Sequence, residues 1–142
     1  MRFDSKIEIE PVTFRCYIAP DGTDEIARWL EQQTPGVQGA IVATIDALRR
    51  RPAHYWRRKP YAPLHGVSCS GLSEIRVEHP KGEHYRILGY FEPSEAIFTM
   101  VYAFAKDVDP SYRLACPQAQ FRKMEIEHDQ RRARLWGGGT IH

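Results

Sequence analysis

The sequence predicts an α+β domain, a small antiparallel sheet backed by helices, and three observations carry that expectation. β-Forming runs occur near the N-terminus and again, closely spaced, between residues 71 and 106. Val37, Ile41, Ile45 and Leu48 recur at intervals of four, four and three, one apolar stripe of a helix. A last amphipathic stretch runs from Pro117 to Leu135. With 142 residues, 42% hydrophobic and 27% charged, the chain suits a single domain spanning 1–142, whose core needs neither a metal nor a disulfide.

The elements follow in order. "IEIEPVTFRCYIA" (7–19) is split by Pro11 and predicts an edge-like strand centred on Thr13 to Ile18. After the turn "PDGT", Thr23 or Asp24 can cap a helix reaching Trp29 and Leu30, which "TPG" (34–36) ends. The stripe from Val37 to Leu48 forms the second helix of a hairpin, and it stops at the arginines before Pro52. Residues 52–70 hold three prolines and no sustained period, which predicts a connecting loop. "GLSEIRVEH" and "HYRILGYFE" then read as two strands around "PKGE", and "AIFTMVYAFAK" (96–106) as a third. The order is β-α-α-β-β-β-α, with a sheet of about four strands and no internal repeat.

Charge and cysteines bound the function. Twenty Lys and Arg against eighteen Asp and Glu leave too little net charge for strong binding of nucleic acid by bulk attraction alone. The cations are clustered, however, at 49–51, 57–59, 122–123 and 131–134. Cys16, Cys69 and Cys116 are odd in number, far apart and without a CxxC pair. That pattern predicts a reducing compartment. No apolar run approaches the ~20 residues of a bilayer span, and "MRFDSKIEIE" lacks a signal-peptide core. The expected setting is cytoplasmic, with no membrane partner.

In the loop, Trp56, Arg57, Arg58 and Lys59 combine a ring with cations, the pairing that single-stranded RNA uses for stacking and phosphate contact. The competing role is an inward-packed ring with solvated cations. In the first hairpin strand Ile75 and Val77 alternate with Arg76, so one face is apolar and the other charged. Helices one and two would cover the apolar face and leave Arg76 on an open one. Whether Arg86 shares that face depends on the turn register; an odd-length loop or a bulge aligns the two. Cross-strand pairing with Glu74, Glu78 or Glu92, at ~0.2–1 kcal/mol each, is the structural role open to both arginines.

This combination of a helix hairpin, "GLSEIRVEH", "HYRILGYF" and "IFTMVYAFAK" resembles the RelE-like toxins of bacterial toxin-antitoxin pairs, in particular the phage-derived RelE/HigB-type branch. The resemblance spans about residues 12–106. Beyond Lys106, Asp107 stands where the family usually has a second lysine, and "VDPSYRLACPQ" intervenes before the last helix. The likeness implies a RelE/ParE-like fold and an endoribonuclease that cuts messenger RNA, often on the ribosome. Its chemistry is attack of a 2′-hydroxyl on the adjacent phosphate, without metal or cofactor. It also implies neutralisation by an antitoxin encoded beside it, in this branch commonly a helix-turn-helix protein.

Carried across position by position, the resemblance makes Arg76, Arg86 and Lys106 phosphate-binding candidates and sets Tyr85 beside Arg86. His79 and His84 match no fixed family position and are candidates because imidazoles as a class exchange protons near neutral pH. Arg86→Ala and Lys106→Ala are expected to fold normally and lose activity. The antitoxin is expected on the open sheet face or the basic loop. Two other functions fit the same scaffold: a ParE-like toxin that blocks DNA gyrase by binding, and a non-catalytic phage or prophage binding protein.

Overall fold

The computed structural model describes residues 11–78, 81–92, 96–106 and 112–137. Strand β1 (Thr13–Tyr17) leads into helices α1 (Glu25–Glu31) and α2 (Pro35–Arg49). Strands β2 (Tyr61–Pro63), β3 (Ser73–Glu78), β4 (His84–Glu92) and β5 (Ile97–Ala105) follow, then α3 (Tyr112–His128) and β6 (Ala133–Leu135). The six strands form one sheet in the order β2-β3-β4-β5-β1-β6.

The fold is α+β, but the sheet is larger and more mixed than the expected four-stranded antiparallel one. β1 runs parallel to β5, from Thr13↔Ile97 to Cys16↔Met100, while its other edge pairs antiparallel with β6. The two additional strands have three residues each. An element so short shows no period in sequence, and β2 ends on a proline, which only an edge strand tolerates.

Both early helices begin on side-chain caps. The Asp24 carboxylate accepts from Ala27 N at 2.9 Å, and Thr34 Oγ1 from Val37 N at 3.4 Å, with Pro35 opening α2. The stripe of Val37, Ile41, Ile45 and Leu48 is buried as its spacing predicts. It packs with Ile26 and Leu30 of α1 against Phe14, Ile75, Val77, Tyr85, Ile87 and Phe98 on one sheet face. Each such side chain stabilises the fold by roughly 1.5–3 kcal/mol relative to exposure.

The opposite sheet face is not open, because α3 lies on it. Ala115, Cys116, Ala119 and Ile126 of α3 pack with Leu72, Leu88, Tyr90, Val101 and Phe104. The helix, expected at 117–135, starts earlier, ends at His128, encloses Pro117 and exposes Phe121 and Met124, while Leu135 lies in β6. Its inner residues are small because bulky rings stand on the strands below. The Arg122 guanidinium lies 4.8 Å over Tyr17 and 5.2 Å over Tyr102, and Lys123 Nζ lies 5.2 Å from Tyr90. Asp129 then accepts from Arg131 N, turning the chain so that Ala133–Leu135 pairs with β1.

A bulge in the β4–β5 pair makes this packing possible. Leu88 faces Tyr102 and Gly89 faces Met100, which leaves Val101 as the extra residue. Arg122 satisfies its carbonyl with a 2.8 Å hydrogen bond. Gly89 is required there: a Cβ would collide with Thr99 O and the Phe98 ring.

The cysteine reading is overturned. Cys69 and Cys116, 47 residues apart, form a disulfide that ties α3 to the turn before β3, and Cys16 is buried as a free thiol. Distance along the chain hid a pairing that the fold creates, and the cysteine argument for a reducing compartment falls with it. No helix among the described residues is long and apolar enough to cross a membrane.

Candidate functional site

The β3–β4 register, Glu78↔His84 at the turn and Ile75↔Ile87 further in, sets Arg76 directly opposite Arg86. Strand alternation sends Ile75, Val77, Tyr85 and Ile87 to the α1–α2 side, so both arginines lie on the side that α3 covers. Two cations facing each other repel. Glu74, only 1% exposed, resolves this: its Oε2 meets Arg76 Nε at 2.6 Å, and its Oε1 lies 3.6 Å from Arg86 Nε.

Tyr112, the first residue of α3, completes the group. Its hydroxyl donates to Glu74 Oε1 at 2.6 Å and accepts from Arg86 Nε at 3.2 Å, while Arg86 NH1 donates to Tyr85 O at 3.0 Å. Burial, and then the bond to Glu74, push the phenol above its ordinary value, so Tyr112 stays protonated and acts as a donor rather than a base. The bond to Glu74 raises the Arg76 guanidinium still higher. Arg86 is 6% exposed, whereas the Arg76 side chain is 35% exposed. These two differ in what they can touch.

The next row toward the sheet end is Glu78, His84 and Lys106, aligned by the Glu78↔His84 pair and by Lys106 N donating to His84 O at 2.8 Å. Lys106 is exposed and has no side-chain partner among the described residues. Rows of one face are about 7 Å apart and strands about 4.8 Å, so the Cα atoms of Lys106 and Arg86 are about 8 Å apart on one surface. The set of Arg76, Arg86, Lys106, Glu74 and Glu78 sums to one positive charge.

The basic loop reaches the same end. Pro60 O accepts from Arg76 N at 2.7 Å, and Tyr61 pairs with Ile75, so the exposed Arg57, Arg58 and Lys59 immediately precede the strand beside Arg76. Trp56 is not a stacking platform. It is 5% exposed, stacked on Phe91 at 4.7 Å and packed with Phe14, Tyr61 and Phe98, with its Nε1 donating to Arg51 O. Burying an indole among rings removes a large apolar surface from water and adds ring–ring contacts.

The remaining candidates divide. His84 is half-buried in the row next to the arginines. Tyr85 faces the other way, buried beneath α1 with its ring 6.1 Å from Trp29, and its hydroxyl donates to Glu83. His79 lies outside the described residues. Tyr112 was missed because it sits in "VDPSYRLACPQ", where nothing local marks it and only α3 packing brings it to the strands. Arg86, expected from the sequence to be removable without loss of folding, lies buried beside the Glu74 carboxylate that it helps to neutralise. Among the described residues no three His, Cys, Asp or Glu side chains group to hold a metal.

Comparison with known proteins found no matching family model, no matching curated protein and no matching solved structure.

Proposed function

We propose that this chain is the toxin of a toxin-antitoxin pair, a RelE/HigB-type endoribonuclease that cleaves messenger RNA, on the ribosome or free, by metal-independent 2′-hydroxyl attack. The observation that carries the reading is the pair of facing arginines with Lys106 on the same surface, a cluster with one unneutralised positive charge at the sheet end where the basic loop arrives. An RNA strand laid along Arg57, Arg58 and Lys59 would bring one phosphate to Arg76 and Lys106.

In the reaction a 2′-hydroxyl loses its proton, its oxygen bonds to the neighbouring phosphorus, and the bond to the 5′-oxygen breaks. The products are a 2′,3′-cyclic phosphate and a 5′-hydroxyl. Arg76 and Lys106 stabilise the charge that develops on the phosphoryl oxygens. His84, in the adjoining row, is the proton carrier. Arg86 and Tyr112 are positioning residues that hold Glu74, and through it Arg76, in place. A helix-turn-helix antitoxin from the adjacent gene would neutralise the toxin by occupying this end of the sheet or the basic loop.

The test is cleavage of RNA by the purified protein, with the ends of the products identified. Cyclic phosphate and 5′-hydroxyl termini, lost together with growth arrest in Lys106→Ala at unchanged melting temperature, support the reading. Growth arrest with intact transcripts and lost DNA supercoiling would assign gyrase binding instead.

A further inference from the structure

Helix α3 turns its small residues inward and its large ones to water. Leu114, Phe121 and Met124 are 63%, 57% and 46% exposed, and Pro117 between them is exposed as well. Positions 114, 117, 121 and 124 advance by three, four and three, the spacing of a two-helix seam. The inward face, with Ala115, Cys116, Ala119 and Ile126, already covers the sheet, so this stripe is a second apolar face of the same helix. It borders a groove of about 480 Å³ lined by Pro117, Gln120, Phe121, Lys123, Met124 and Glu127.

We propose that this face is the interface of a homodimer in which the α3 helices of two copies pack antiparallel. Leu114 and Phe121 take the first apolar position of the seven-residue repeat and Pro117 and Met124 the second. In an antiparallel pair Leu114 then meets Met124 of the second copy, and Phe121 meets Pro117 of the second copy. The flanking positions decide the occupant. Arg113 lies one residue before the stripe and Glu127 at its far end, both exposed. The antiparallel register sets Arg113 of each copy beside Glu127 of the other, twice, with Gln120 near the two-fold axis. A parallel pair would bring like charges to the same level. Val67, 99% exposed, extends the apolar surface from the turn that the disulfide and the Gln120 bonds to Ser68 O and Ser70 O hold against α3.

Sedimentation velocity of the full chain, from low to high micromolar concentration, tests this. The wild type should dimerise, and Phe121→Glu combined with Met124→Glu should be monomeric with an unchanged circular dichroism spectrum and melting temperature. Glu127→Arg should weaken the dimer, and Arg113→Glu in the same chain should restore it. A wild type that stays monomeric throughout overturns the proposal, whether or not the stripe captures an amphipathic helix of another protein. So does a dimer that survives the double substitution.

Discussion

Arg76 and Arg86 face each other across β3 and β4, and one buried carboxylate, Glu74, lies against both. Opposed cations on neighbouring strands are unfavourable, so the register depends on the acid between them. The same acid makes the two arginines unequal: one is sealed beneath α3 and the other reaches solvent.

That inequality gives the first prediction. Arg86→Ala leaves Glu74 buried beneath α3 with half its compensation and should cost on the order of 3 kcal/mol, while Arg76→Ala frees the Glu74 oxygen on the side where Arg76 reaches solvent and should cost less. Urea denaturation of both variants measures the difference. Equal and small losses would show that Glu74 does not need Arg86.

The basic loop and its tryptophan should separate by experiment. Replacing Arg57, Arg58 and Lys59 together by alanine should leave the melting temperature unchanged. It should lower the slope of log affinity for single-stranded RNA against log salt by ~2, about 0.7 for each phosphate contact. Trp56→Ala should instead lower stability by ~3–5 kcal/mol, since it empties the centre of an aromatic cluster.

The Cys69–Cys116 bond closes a loop of 47 residues, and removing it should cost ~2–5 kcal/mol. Wild type melted with reductant and a Cys69→Ser/Cys116→Ser variant should share one lowered transition, below that of the wild type melted without reductant. A melting temperature indifferent to reductant would count against the pairing.

At high pH the buried hydroxyls and thiol should set stability. Burial raises Tyr17, Tyr90 and Tyr112 above the ordinary phenol value of 10.0 and Cys16 well above the thiol value of 9.0. The folded chain therefore holds these protons more tightly than the unfolded chain does. Their contribution is complete below pH 9.0 and declines as pH rises past 9.0 and then 10.0 toward the folded values. Denaturation midpoints should fall steeply in that window. Tyr112→Phe, which removes one of these groups, should make the fall shallower; an unchanged slope would exclude Tyr112 from it.

Sequence alone determined the elements whose residues repeat: the α2 stripe from Val37 to Leu48, a cap for α1 at Thr23 or Asp24, and the alternation that puts Ile75 and Val77 opposite Arg76. Periodicity and capping are local, written into a dozen neighbouring residues. It also singled out Arg76, Arg86 and Lys106 before any strand was paired. Tertiary structure decided what these residues face. Strand register brought Arg76 to Arg86, the docking of α3 brought Tyr112 to Glu74 and Cys116 to Cys69, and core packing took Trp56 from the surface. Each of these joins residues far apart in the chain. Their partners are chosen by which buried charges, rings and thiols must be satisfied once the sheet has closed over them, and no local pattern records that choice.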